Sequence, residues 1–187
     1  MHDNGFISNL VAHWPVWLVA VTLVVAAVID GWQLRVPNWL TFPMIIAGWV
    51  FGFATGSWAG LGESLLGTVV GLALLMPAYA IGGMGAGDVK LLAGVGAWVG
   101  ATTTFYAFCV SALVGGAIAV VMVALKHKWK HHQDQFFKIV GEVVSIGNPN
   151  ELSAIAAKRK SSMMLLPYGI PIAIGSIAYF FWAGLLL

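Results

Sequence analysis

Residues 16–30 read VWLVAVTLVVAAVID, an uncharged apolar run that ends on a carboxylate. Extended back through residue 10, the run reaches the roughly 17–25 mostly apolar residues that a membrane-crossing helix requires. The rest of the chain repeats the pattern. Of its 187 residues, 60% are hydrophobic and only 9% are charged, against about 25% charged in an ordinary soluble domain. Mean hydropathy is +0.90. A water-soluble domain of this length cannot bury that much apolar surface, which excludes a soluble enzyme. Intrinsic disorder, a collagen-like chain and nucleic-acid binding are excluded too, because charge is too sparse. The single cysteine, Cys109, leaves no internal disulfide framework and no cysteine-cluster zinc site. The expectation is an all-α integral membrane protein with lipid as its solvent.

Six apolar segments are expected to span: residues 10–29, 39–55, 64–81, 89–101, 104–125 and 163–187. The fourth is short and glycine-rich. It draws on Thr102–Thr104 or crosses where the membrane is thin. The first is not expected to be a cleavable signal peptide, since no lysine or arginine precedes it. Cytoplasmic loops collect Lys and Arg. Here all nine fall at Arg35, at Lys90, and between Lys126 and Lys160, where seven lie. Alternate connections are therefore basic, and six crossings fit with both termini on the non-cytoplasmic side. A five-span arrangement would misplace one basic loop unless the fourth segment is re-entrant. The expected organisation is a six-helix bundle forming one domain over residues 1–187.

Residues 126–162 form the only sizeable polar stretch. Phe136, Phe137, Val140, Val143 and Val144 recur in it at helical spacing, which suggests an amphipathic segment on the inner leaflet. Lipid-headgroup attraction accounts for its basic residues. Elsewhere Gly48, Gly52, Gly56 and Gly60 recur every fourth residue, and Gly67/Gly71 and Gly96/Gly100 repeat the interval. Small residues four apart let helix backbones approach closely in lipid. The spacing leaves open whether such packing also builds a homo-oligomer.

Two of the seven acids stand apart from tails and loops: Asp30 and Asp88. A charged group deep in the membrane costs roughly 2.5–3.5 kcal/mol on insertion scales, and less near a helix end. The first span runs inward and the fourth starts inside, so both carboxylates share the cytoplasmic depth. Read singly, Asp30 is an interfacial carboxylate and Asp88 an N-cap. Read together, they suit peptide hydrolysis. Two carboxyl groups about 3 Å apart share a proton. The ionised one takes a proton from water while the other donates to the carbonyl oxygen. The pair titrates as a unit, although the start of a helix favours negative charge on Asp88. Gly85 and Gly87 leave space beside that carboxylate for an approaching strand.

Two blocks carry a family resemblance. Asp30-Gly31-Trp32-Gln33-Leu34-Arg35-Val36-Pro37-Asn38-Trp39-Leu40-Thr41 resembles the first aspartate block of the prepilin peptidases, membrane aspartic proteases with a Gly-x-Gly-Asp motif. Gly85-Ala86-Gly87-Asp88-Val89-Lys90-Leu91-Leu92-Ala93, followed by Gly96-Ala97-Trp98-Val99-Gly100, resembles their second. A weaker block, Pro167-Tyr168-Gly169-Ile170-Pro171, is similar to the start of their last helix. The resemblance implies an inner-membrane endopeptidase whose catalytic residues are Asp30 and Asp88. Its substrate would be a type IV pilin or pseudopilin precursor, cut on the cytoplasmic side just before a hydrophobic helix. Larger members carry a cysteine-bearing zinc domain between their first two core spans and also N-methylate the new terminus. Here residues 31–38 form only a tight loop, so the chain more closely resembles the short, peptidase-only branch of tight-adherence (Flp-type) pilus systems.

Lys90, two positions past Asp88, points away from it on a helix. It reads as a snorkelling cation or as a substrate contact. Arg35 reads as a topology anchor or a site residue, and Pro37-Asn38 starts the second helix. His127, His131 and His132 lie among positive charge without acidic ligands, so no metal or other cofactor is expected. Rival readings are a proton-coupled small transporter and a non-catalytic subunit of a secretion or pilus-assembly machine. A protease of the signal-peptide-peptidase or presenilin type would need a Pro-Ala-Leu element in its last helices, which is missing here.

Overall fold

The computed structural model of the chain describes residues 13–80, 83–125 and 168–186. These form four helical runs: α1 (Trp14–Gln33), α2 (Asn38–Ala80), α3 (Ala86–Leu125) and α4 (Gly169–Trp182). The first two, and Ala86–Met122 of α3, are long and apolar enough to cross a membrane by length and composition; α4 is shorter. The expected amphipathic segment, His127, His131, His132 and Pro167 lie outside the described residues.

Four runs replace the six separate helices expected from the sequence. The anticipated second and third segments are one run, and so are the fourth and fifth. Each pair is joined through a single non-helical residue: Ser57 in α2 (φ 53°, ψ −140°) and Gly100 in α3 (φ 77°, ψ 173°). A straight helix of 43 residues would be about 64 Å long. Yet Trp49 Nε1 donates to Thr68 Oγ1 at 2.9 Å, and Ser64 Oγ donates to the Gly48 carbonyl at 3.3 Å. Groups that far apart in sequence meet only because α2 folds back on itself at Ser57. One residue suffices for the reversal, so no polar linker marks it.

The two hairpins pack through backbone. A Cβ on Gly48 would lie 2.6 Å from Ala97 Cβ, and Cβ atoms on Gly67 and Gly96 would strike each other's carbonyls. Gly71 meets Leu92 in the same way. The four-residue glycine spacing is thus a packing code at these positions. It fails at two others: Gly56 faces open space, and Gly100 supplies the positive φ of the α3 joint.

The first half of α3 is the axis of the molecule. Leu91 through Ala97 are all buried, enclosed by α1, α2 and α4. That enclosure explains why so short and glycine-rich a segment is stable: its neighbours are protein, and its length need not match the bilayer. Trp98 Nε1 donates to the Met44 carbonyl at 2.8 Å. Trp14, Phe51 and Trp98 cluster at the end away from the aspartates, Phe51 stacked on Trp98 and Trp14 edge-on to both, with centroids 5.2–6.0 Å apart. On α4, Gly175 lies against the Ser111 backbone and Ser111 Oγ reaches the Ile172 carbonyl at 3.3 Å. Val21, Val24, Val25 and Val28 of α1 are exposed, as expected of a face turned to lipid.

Candidate active site

The helix α1 runs four residues beyond the expected end of the first span. It closes at Leu34, whose left-handed backbone (φ 52°) lets its N–H donate to the Asp30 carbonyl at 2.8 Å. Such a cap is usually glycine. Asp30 therefore lies in the last helical turn, not past it. Its side chain turns inward and is 2% exposed. Oδ2 accepts the Gly169 backbone N–H at 2.7 Å. Gly169 opens α4, so a carboxylate on the last turn of one helix caps the first turn of another. A Cβ at position 169 would lie 2.9 Å from that oxygen; glycine is what permits the approach.

Asp88 sits three residues past Gly85, at the third position of α3. Its N–H donates to the Gly85 carbonyl at 3.2 Å, and Oδ2 accepts the Gly85 N–H at 3.2 Å. Asp88 supplies the acidic half of a capping box, its carboxylate reaching back to the cap residue's N–H, while Gly85, which has no side chain, answers only through its backbone carbonyl. Asp88 is thus not the N-cap that the sequence suggests for it when read alone. It is 4% exposed.

Both carboxylates bear on the same turn. The Gly169 N–H holds Asp30, and the phenol of the preceding residue, Tyr168, is pushed above its ordinary range first by burial and then by the charge of Asp88. The motif blocks also touch directly. A Cβ on Gly87 would strike the Val36 carbonyl, so the loop before α3 lies against the loop after α1. Lys90 Nζ donates to Asn38 Oδ1 at 2.9 Å and stands 4.7 Å above the Phe42 ring. Lys90 therefore ties α3 to the start of α2, where the sequence suggested snorkelling or substrate contact. Pro37 offers its carbonyl to the N–H groups of Leu40 and Thr41 as α2 begins. Arg35 is exposed on the four-residue connection. Of the residues singled out in the sequence, Asp30, Asp88, Gly85, Gly87, Lys90, Pro37 and Asn38 converge on one end of the bundle.

Tyr168 and Gly169 were anticipated only as the start of a helix. Their block carries no charge, and nothing local in it announces that an amide there would serve a carboxylate 139 residues away.

The family model for the type IV leader peptidase family matches residues 17–120, over half of the chain and including both aspartates. The chain belongs to that family. A leader-peptidase-family relative from Aeromonas hydrophila, called "Prepilin leader peptidase/N-methyltransferase", is 31% identical over 138 residues, covering 70% of this chain and 44% of the relative. One of the same name from Neisseria gonorrhoeae is 34% identical, covering 66% of this chain and 48% of the relative. The chain thus spans less than half the length of these curated relatives. No solved structure matches. Family membership and the three long apolar helices together make the chain a multi-pass membrane protein.

Proposed function

We propose that the chain is a membrane aspartic endopeptidase, with Asp30 and Asp88 as the catalytic pair. It removes the short basic leader from type IV pilin-like or pseudopilin precursors at the cytoplasmic face of the bacterial inner membrane. The observation that carries this reading is the convergence of two buried carboxylates from distant motif blocks on the Tyr168–Gly169 step. A proton-coupled transporter would space its acids along a path through the membrane; here both lie at one end.

In this reading residues 1–187 act as one peptidase domain. Ser57 and Gly100 divide α2 and α3 into two crossings each, giving six in all with α1 and α4. Both termini then lie on the non-cytoplasmic side, and the basic stretch 126–162 faces the cytoplasm. Methyl transfer, part of the relatives' names, is not extended to this chain. Only residues 34–37 separate α1 from α2, which leaves no room there for a cysteine-bearing zinc domain. That short connection supports the tight-adherence (Flp-type) branch.

Chemically, one carboxylate takes a proton from water as the water attacks the scissile carbonyl. The other, protonated, donates to the carbonyl oxygen. Collapse of the tetrahedral intermediate breaks the C–N bond: the leaving amine takes the proton that the first carboxyl drew from water, and the second carboxyl recovers its own from the intermediate's hydroxyl. Asp88 lies in the first turn of α3, where backbone N–H groups stabilise negative charge. Asp30 accepts an N–H from the first turn of α4 but sits in the last turn of α1, whose dipole opposes negative charge, so Asp88 is the favoured seat of the single charge the pair shares.

Co-expression of a pilin precursor with Asp30→Asn or Asp88→Asn enzyme tests this reading. Loss of one acid–base partner is expected to slow processing by about 10²–10⁴-fold, read as precursor mass. Full processing by either variant ends the assignment.

A further inference from the structure

An open groove of about 990 Å³ runs between α1 and α4, lined throughout by apolar residues. It extends from Gly31, Trp32 and Ile170 at the aspartate end to Val24 on α1 and Phe181 on α4. We propose that this groove seats the hydrophobic helix of the precursor, with the scissile junction delivered to Asp30. The inference rests on the peptidase reading above and adds where the substrate binds.

Position supports that occupant over lipid. At this end the groove borders the site on both helices: Gly31 adjoins Asp30, and Ile170 adjoins Gly169, whose amide holds Asp30. A helix lying in the groove therefore passes beside the carboxylate. Direction fits as well. With α1 running inward, the aspartate end is cytoplasmic, so a precursor helix with its basic leader at that end lies in the groove in its natural orientation.

Size and texture agree. From Ile170 to Phe181 the groove follows about 16 Å of helix, or three turns. The groove is open along its length, so it seats one side of a helix about 10 Å across and does not enclose it. Its walls alternate small residues, Ala27, Ala173 and Ala178, with Val28 and Ile174, which are 47% and 49% exposed. Small residues permit the close backbone approach that holds helices together in lipid. A second cavity of about 290 Å³, between α2, α3 and α4 beside Met84 and Tyr168, is too small for three turns.

The test uses the full-length protein carrying Cys109→Ser, with single cysteines introduced as Ile174→Cys, Val28→Cys or, as a control on the exposed face of α2, Ile46→Cys. A co-expressed pilin precursor carries one cysteine in its apolar helix. Oxidative cross-linking is expected from positions 174 and 28 and not from 46. In parallel, Ile174→Trp should lower processing at least tenfold through KM, while Ile46→Trp leaves it unchanged. Equal cross-linking at all three positions, or normal processing by Ile174→Trp, would overturn the groove assignment; lipid would then be its occupant. A cross-link from Gly116→Cys in the second cavity, with none from 174, would overturn it equally. These outcomes are separate from the Asp→Asn result. A groove that fails beside inactive Asp→Asn enzymes leaves the peptidase standing, and cross-linking reads the seat whether or not cleavage occurs.

Discussion

The Gly169 amide donates to Asp30 Oδ2 at 2.7 Å, at a position where a methyl group would stand 2.9 Å from the same oxygen. One contact thus fixes both where the carboxylate points and what residue can face it. Gly169→Ala is expected to displace Asp30 and cut leader processing at least about tenfold, equal to about 1.4 kcal/mol in barrier height. Gly169→Val should abolish it. The check is precursor processing at equal membrane levels of enzyme. Wild-type rates from Gly169→Val would show that the contact does not position Asp30.

Lys90 and Asn38 form the corresponding tie on the other side. Lys90→Met keeps the stem over Phe42 and removes the charge and the donor. A hydrogen bond to a charged group contributes about 1.5–3 kcal/mol when sheltered; this one is exposed, so a smaller effect, about two- to tenfold in rate, is expected. Asn38→Ala should match it, and the double variant should be no worse than either single one. Additive losses would return Lys90 to the role of an independent anchor.

The paired glycines 67 and 96 bring α2 and α3 into backbone contact. Gly96→Val should destabilise the bundle by at least about 1–3 kcal/mol, as overpacking does. Gly56→Val, where a side chain meets nothing within 4 Å, should leave the melting temperature in detergent nearly unchanged. Similar melting of the two variants would dissociate the glycine spacing from packing.

Ser57 holds a backbone conformation (φ 53°, ψ −140°) that costs a non-glycine residue about 1–3 kcal/mol. Ser57→Gly is therefore expected to raise thermal stability without altering processing. A lower melting temperature would mean that the serine contributes something at the turn beyond its backbone angles.

The sequence made the site largely legible and the connections poorly so. Asp30 and Asp88 stand out because acids are costly in apolar runs, and the charge pattern placed them at one depth. Read alone, Asp88 looks like the N-cap; the structure puts the cap at Gly85, three residues earlier, and Asp88 reaches back to it. The reversals at Ser57 and Gly100 were hidden because a one-residue joint leaves no polar stretch to read. The partnership of Gly169 with Asp30 was hidden because it depends on tertiary packing across 139 residues. The central place of residues 91–97 was obscured for a related reason: glycine and alanine look like weakness in a lipid-facing span and are an advantage in one walled by other helices.

The single-residue joints and the Trp14–Phe51–Trp98 cluster share the end of the bundle away from the carboxylates. The indoles and phenyl ring join α1, α2 and α3 there. The molecule is built like tweezers fused at the back: it is tied at one end by short joints and ring contacts, and it carries its two acids at the other.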